Sequence, residues 1–176
     1  MGIKKVGSIE IYELDENLDK YTRKEREEYI NELFKQEYQG KEISYLLNGE
    51  EIKALINQKT RRNFRAYQHS GKYETNKSYR TRQNIVFSGD YIDMVSNTLY
   101  DFSKDEHKKY QKGHHYDNKW HYFYKIIKCN DCFFYVIIDI LERNGNYYIY
   151  NTKLKEVDAR ALSPGMISTS STTNIS

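Results

Sequence analysis

The segment Trp120–Leu154, WHYFYKIIKCNDCFFYVIIDILERNGNYYIYNTKL, decides the fold. Trp120 to Lys128 and Cys132 to Leu141 are rich in β-branched and aromatic residues and read as strands. Asn130-Asp131 between them suits a two-residue turn. Asn144-Gly145 is a stronger hairpin signal, and Asn146 to Leu154 reads as a third strand. The expected product is an antiparallel meander. Its central strand is almost continuously apolar, as for a strand covered at least partly on both faces.

Register follows if both turns hold two residues. Cys129 then opposes Cys132, Lys125 opposes Val136, His121 opposes Ile140, Arg143 opposes Asn146 and Asp139 opposes Tyr150. One face collects Phe123, Ile127, Phe134, Val136, Ile138, Ile140 and Ile149, and is expected to be the core. The other collects Trp120, Tyr122, Tyr124, Tyr135, Asp139, Tyr148, Tyr150 and Thr152. Rings with polar tips are unlike a dry core. This wall reads as a stacking platform for bases, with a wetter second core layer as the plain alternative. The same register puts His121 and Lys125 on the apolar side. There His121 is expected to emerge at the sheet edge and Lys125 to snorkel.

Upstream, Thr22-Arg-Lys-Glu25 is a capping box. Tyr29, Ile30, Leu33, Phe34 and Tyr38 follow at helical spacing, and Gly40 supplies a stop. A shorter helix is expected from Asn48, with Glu51 three residues on and Ile52, Leu55 and Ile56 on one face. Tyr79 to Phe87 alternates and reads as a strand. Ser88 is placed to cap a helix running to about Leu99, carrying Tyr91, Ile92, Met94 and Val95. The fold class is α+β, with N-terminal helices packed on one face of a small antiparallel sheet. The organisation read from this is an N-terminal helical extension (1–45), an α+β domain (46–162) and a Ser/Thr-rich tail (163–176) expected to be disordered.

Composition narrows the class. The chain has 176 residues, and its 18 Tyr, 7 Phe and one Trp argue against disorder. No apolar run approaches the ~18 residues of a membrane span. The first residues lack the apolar core of a secretory signal, and two cysteines suit a reducing compartment, so a cytoplasmic protein without membrane contact is expected. The formal net charge is only +3. The cations are concentrated, however. Residues 57–82 carry Lys59, Arg61, Arg62, Arg65, Lys72, Lys77, Arg80 and Arg82 against Glu74 alone. A second basic stretch runs from Lys104 to Lys119. Interleaved aromatics and cations suit a polynucleotide, phosphates on the cations and bases on the rings.

No P-loop, GxGxxG, HExxH or GxSxG is present. Cys129-Asn-Asp-Cys132 is half of a zinc pattern, and no second pair completes it. It is read as an unbonded cross-strand pair. No metal or cofactor is expected. The remaining chemistry-bearing types suffice for metal-free RNA cleavage. One imidazole takes the 2′-hydroxyl proton, a second group protonates the leaving oxygen and a cation steadies the phosphorane. Among His69, His107, His114, His115 and His121, two stand out. His69 follows the Lys59–Arg65 cluster, and His121 lies on a rigid strand rather than on the loop assigned to His107, His114 and His115. The candidate catalytic set is His69, His121 and Arg62. The candidate RNA contacts are Lys59, Arg61, Arg82, Tyr122, Tyr124 and Tyr150.

The segments INQKTRRNFRAYQH (56–69), SGDYIDMVSNTLY (88–100), DNKWHYFYKIIK (117–128), FFYVIIDILERNGNYYIYN (133–151) and STTNIS (171–176), in that order, carry a family likeness. The chain resembles the small nuclease-like domains of phages and polymorphic toxins in the barnase/EndoU/colicin D/RelE-like group, in the variant attached to phage large polyvalent proteins. The resemblance spans roughly residues 48–176. It implies an α+β fold and metal-independent ribonuclease activity leaving a 2′,3′-cyclic phosphate. It also implies a basic segment at Lys59–His69, an aromatic strand at Trp120–Lys125 and closing hydroxyls at Thr172 and Thr173. The alternative is a module that keeps binding without catalysis. Its ligand would be RNA, a nucleotide, or an inhibitor or host-defence protein partner, as in a phage counter-defence inhibitor.

Overall fold

The computed structural model describes residues 2–6, 9–14, 21–65, 75–109, 115–158 and 160. His69, His114, Thr172, Thr173 and the tail lie outside them. In chain order the elements are β1 (Gly2–Val6), β2 (Ile9–Leu14), α1 (Arg23–Leu33, continued by a π-helical turn over Phe34–Tyr38), β3 (Glu42–Leu47) and β4 (Glu50–Leu55). Then come α2 (Gln58–Arg65), α3 (Asn76–Phe87), α4 (Tyr91–Val95), β5 (Leu99–Lys109), β6 (His115–Cys129), β7 (Cys132–Arg143) and β8 (Asn146–Val157).

The meander forms as its turns require. Asn130, Asn144 and Gly145 take positive φ, the conformation that two-residue hairpin turns demand. Cys129↔Cys132, Lys125↔Val136, His121↔Ile140 and Arg143↔Asn146 pair as read. One pairing differs. Asp139 opposes Asn151, because a bulge leaves Tyr150 as an extra residue between the partners of Asp139 and Ile140. Beyond the bulge the alternation inverts, so Thr152 lies opposite Ile138 and is buried on the core side.

The α+β class and the helices-on-one-face layering stand, within a larger sheet. Its strand order is β1-β2-β6-β7-β8-β4-β3, with β5 also on β6. Two joins are parallel, β2 beside β6 and β4 beside β8. The long edge of β6 is shared. β5 takes it from His115 to Tyr124, and β2 takes it from Ile126 to Cys129.

Three local expectations fail. The helix expected from Asn48 is a hairpin, β3–β4, turning at Asn48-Gly49 with both φ positive. Its strands alternate, burying Ile43, Tyr45, Leu47, Ile52 and Ala54. The strand expected at Tyr79–Phe87 is helix α3, capped by the Thr75 hydroxyl, which accepts from the Ser78 amide at 3.1 Å. The helix expected from Gly89 to Leu99 is the short α4, with β5 already begun at Leu99. The boundary after residue 45 falls too, since it cuts through β3, and β1 and β2 belong to the same sheet. His107 and His115 lie on the β5–β6 ladder, not on a loop.

The α1 capping box forms. The Glu25 amide donates to the Thr22 hydroxyl at 3.2 Å, and the Thr22 amide donates to the Glu25 carboxylate at 3.1 Å. Those bonds hold the Glu25 carboxyl below its ordinary range. α1 buries Ile30, and the π-helical turn buries Phe34 and Tyr38. These join Phe64, Val86, Tyr91, Met94 and the predicted core face of the meander in one cluster.

α2 has a second task. β8 touches β4 only at Tyr147 and Tyr148. Next along that edge, the Thr60 hydroxyl donates to the Ile149 carbonyl, and the Asn63 amide donates to the Tyr150 carbonyl at 2.8 Å. The helix thereby satisfies backbone groups that an exposed strand edge would leave open. Asn57 starts it, its side chain accepting from the Thr60 amide at 3.0 Å.

Candidate functional site

The face of the meander opposite the helices carries the aromatic wall. Trp120, Tyr122, Tyr124, Tyr135, Tyr148 and Tyr150 are each half-buried. The rings meet in pairs across the strands. Phe102 stacks on Tyr122 at 4.5 Å between centroids, Trp120 meets Tyr150 edge-on at 4.9 Å, and Tyr124 meets Tyr135 edge-on at 6.0 Å. Phe102 remains 48% exposed and is the outermost ring. It was absent from the sequence candidates. Its signal was its place opposite Tyr122, visible only once β5 is known to be a strand.

Cations border the wall. Lys59 of α2 lies over the Tyr150 ring at 5.7 Å. Lys153 meets Asp139 at 2.9 Å. Lys104, opposite Trp120, and Lys155, opposite Tyr135, are exposed. The small apolar cluster of Ile11 and Ile126, with Phe133, Tyr135 and Val157 against it, includes no helical residue.

Asp139 explains why this face is not a dry core. It is buried beneath the wall, opposite Tyr122. One carboxylate oxygen pairs with Lys153, while Oδ1 has no hydrogen-bond partner. Burial pushes the Asp139 carboxyl above its ordinary range, against Lys153 and Asn151, which pull it down. Tyr122 is likewise pushed up, by burial first and then by Asp139 and Glu106. A carboxyl raised in the folded state contributes stability in acid that is lost as pH rises through its folded titration. Asp139→Asn, uncharged throughout, should flatten that dependence and be more stable than the parent at neutral pH. Urea unfolding across a pH series checks this, and a less stable variant at neutral pH would contradict it.

The other named residues divide. Lys59 and Arg62 are exposed on α2. Arg61 is buried, donating to Asn31 at 2.6 Å. Arg82 has no exposure at all. Its guanidinium lies 5.1 Å from both the Phe64 and Tyr79 rings and donates to the Phe64 carbonyl. Neither Arg61 nor Arg82 presents a cation to a polynucleotide in this conformation, so both are corrected from RNA contacts to packing residues. The cause is that helices α2 and α3 turn these arginines inward, whereas a basic run read as a line of charges assumes an outward face.

His121 is 2% exposed and faces the side opposite the tyrosine wall. Its Nδ1 is 2.6 Å from the Ser103 Oγ and its Nε2 is 2.8 Å from the Glu142 Oε1. The Tyr100 hydroxyl is 2.7 Å from the same Ser103 oxygen. Sequence reasoning found the imidazole but not Ser103, Tyr100 or Glu142, which come from two other strands. Lys125 snorkels as expected, its ammonium donating to the Asp93 carbonyl at 2.7 Å.

Cys129 and Cys132 are opposed across the turn without a disulfide, and the Asn84 amide donates to the Cys129 sulfur at 3.7 Å. Among the described residues no three His, Cys, Asp or Glu side chains are grouped to hold a metal. Nor is any helix among them long and apolar enough to cross a membrane. Comparison with protein-family models, curated proteins and solved structures finds no match to this chain.

Proposed function

We propose that the chain is a binding module for single-stranded RNA, which lies across the aromatic face of the meander. One observation carries the reading: a half-exposed ring, Phe102, stacked on Tyr122 on a face lined with further aromatic pairs and bordered by Lys59, Lys104 and Lys155. Rings of this kind take bases of any identity, and the lysines take phosphates. The β5–β6 ribbon, with Lys104 on its outer strand, lengthens the track available to a strand of RNA.

Fluorescence anisotropy with a labelled oligouridine, repeated over a salt series, tests this. Phe102→Ala and Tyr122→Ala should each weaken binding about 5- to 150-fold, from stacking worth roughly 1–3 kcal/mol per base. Lys59→Ala and Lys155→Ala should weaken it at low salt and make the salt slope shallower by about 0.7 each. No binding at micromolar protein in low salt would remove the proposal.

Cleavage by a His69/His121 pair is a second reading. His69 lies outside the described residues, and His121 faces away from the wall with both ring nitrogens engaged. Intact oligouridine after prolonged incubation in EDTA supports the binding module. Cuts ending in a cyclic phosphate and lost in His121→Ala would support the ribonuclease.

A further inference from the structure

Ser103, His121 and Glu142 come from β5, β6 and β7 and form one hydrogen-bonded line on the face opposite the RNA platform. The directions of its bonds follow from what each group can do. A carboxylate only accepts, so the Glu142 oxygen takes its proton from His121 Nε2–H. In the neutral imidazole this assigns the ring proton to Nε2 and leaves Nδ1 as an acceptor. Ser103 O–H then donates to Nδ1, and because that hydroxyl has one proton only, the Tyr100 O–H donates to the Ser103 Oγ. A hydroxyl, a base and a carboxylate that sets the base's tautomer are the parts of an activated nucleophile.

Placement supports the same reading. The base is sealed, with His121 at 2% exposure, whereas the chain opens at the other end, where Ser103 is half-buried and Tyr100 is 39% exposed. Glu142 is steadied in turn by the Tyr147 phenol, whose titration is pushed up by burial first and then by Glu142. The Tyr147 ring stands 5.9 Å from the imidazole. A histidine that merely needed its hydrogen bonds filled would not require a half-buried serine that carries its own phenolic donor.

We propose that Ser103 is a nucleophile toward small carboxylic esters, with His121 as its base, Glu142 as the residue that positions the base and Tyr100 as the donor nearest the developing oxyanion. Ser103 Oγ bonds to the acyl carbon as its proton passes to His121 Nδ1. The bond from that carbon to the leaving oxygen breaks, and the leaving oxygen takes the proton from Nδ1. A water then attacks the acyl-serine, gives a proton through Nδ1 to Ser103 Oγ and releases the acid, so the chain is restored.

The test uses the full chain with p-nitrophenyl acetate and, separately, a fluorophosphonate. The expected result is one acetyl or one phosphonyl group per chain, mapped to Ser103 by peptide mass, and none on that peptide in Ser103→Ala. Glu142→Gln lets the amide donate to Nε2 and turn the ring proton onto Nδ1, so labelling should slow about 100-fold or more at unchanged melting temperature. His121→Gln should do the same, and the partly exposed Glu142 serves as the test if the buried histidine variant fails to fold. RNA binding should be the same in Ser103→Ala, which separates this site from the platform. Absence of label at Ser103 in the folded parent, or labelling that is undiminished in a folded Glu142→Gln, would overturn the proposal.

Discussion

Phe34→Ala should destabilise the fold by about 3–5 kcal/mol, the cost of deleting a fully buried aromatic ring and leaving a cavity that its neighbours fill poorly. Phe34 has no exposure and sits where α1 passes into its π-helical turn. Its ring lies 5.2 Å from Tyr38, 5.2 Å from Phe64 and 4.7 Å from Tyr91, so it joins three separate elements. Tyr91 is itself sealed, and burial pushes its phenol well up. A hole at Phe34 would open beside that phenol as well as beside carbon. Urea unfolding followed by circular dichroism measures the loss, read from the midpoint at an unchanged slope. A loss below about 1 kcal/mol would mean that the ring cluster does not anchor the helical layer.

Arg82→Ala should be the second large loss, about 3 kcal/mol or more, for a different reason. The guanidinium is sandwiched against Phe64 and Tyr79 and donates to the Phe64 carbonyl at the end of α2. Alanine removes the stacked stem and leaves that carbonyl without this donor, a penalty of roughly 1–3 kcal/mol by itself. Arg82→Met keeps most of the volume and takes a charge out of the interior, so it should recover about half of the loss. If methionine were as damaging as alanine, hydrogen bonding rather than packing would dominate. If both were harmless, the helix would not depend on this side chain.

The meander was legible because its turns are local and its strands long. Asn144-Gly145 and Asn130-Asp131 set the register, and the register sorted the core face correctly through Phe123, Val136 and Ile140. The same dipeptide at Asn48-Gly49 was passed over, because Ile52, Leu55 and Ile56 also satisfy a helical spacing and short apolar runs are ambiguous. α3 was misread since its interior includes Arg82, Gln83 and Asn84, all buried, which hides the helical stripe from any apolar count. The Tyr150 bulge carries no turn residue to announce it. The parallel joins were out of reach for a related reason, as no tight turn marks them.

For the site, the tyrosine wall and His121 were legible from the register. The partners of His121 were not, since Ser103 depends on strand β5, in a region where the sequence reading placed no strand and put His107 on a loop. Arg61 and Arg82 show the limit of reading charge along a line. A run of cations predicts a surface only when the helix that carries it turns each one outward.

The two parallel joins also bear on how the polypeptide is made. Ile11 rests beside Ile126, and Ala54 beside Tyr147. A ribosome adds about 5–20 residues each second, so Ile11 is added roughly 6–23 seconds before its neighbour exists. Through that interval the nascent β1–β2 and β3–β4 hairpins each have one flank open. Completion therefore waits for nearly all of translation, and the early segments are the ones a chaperone would be expected to shelter.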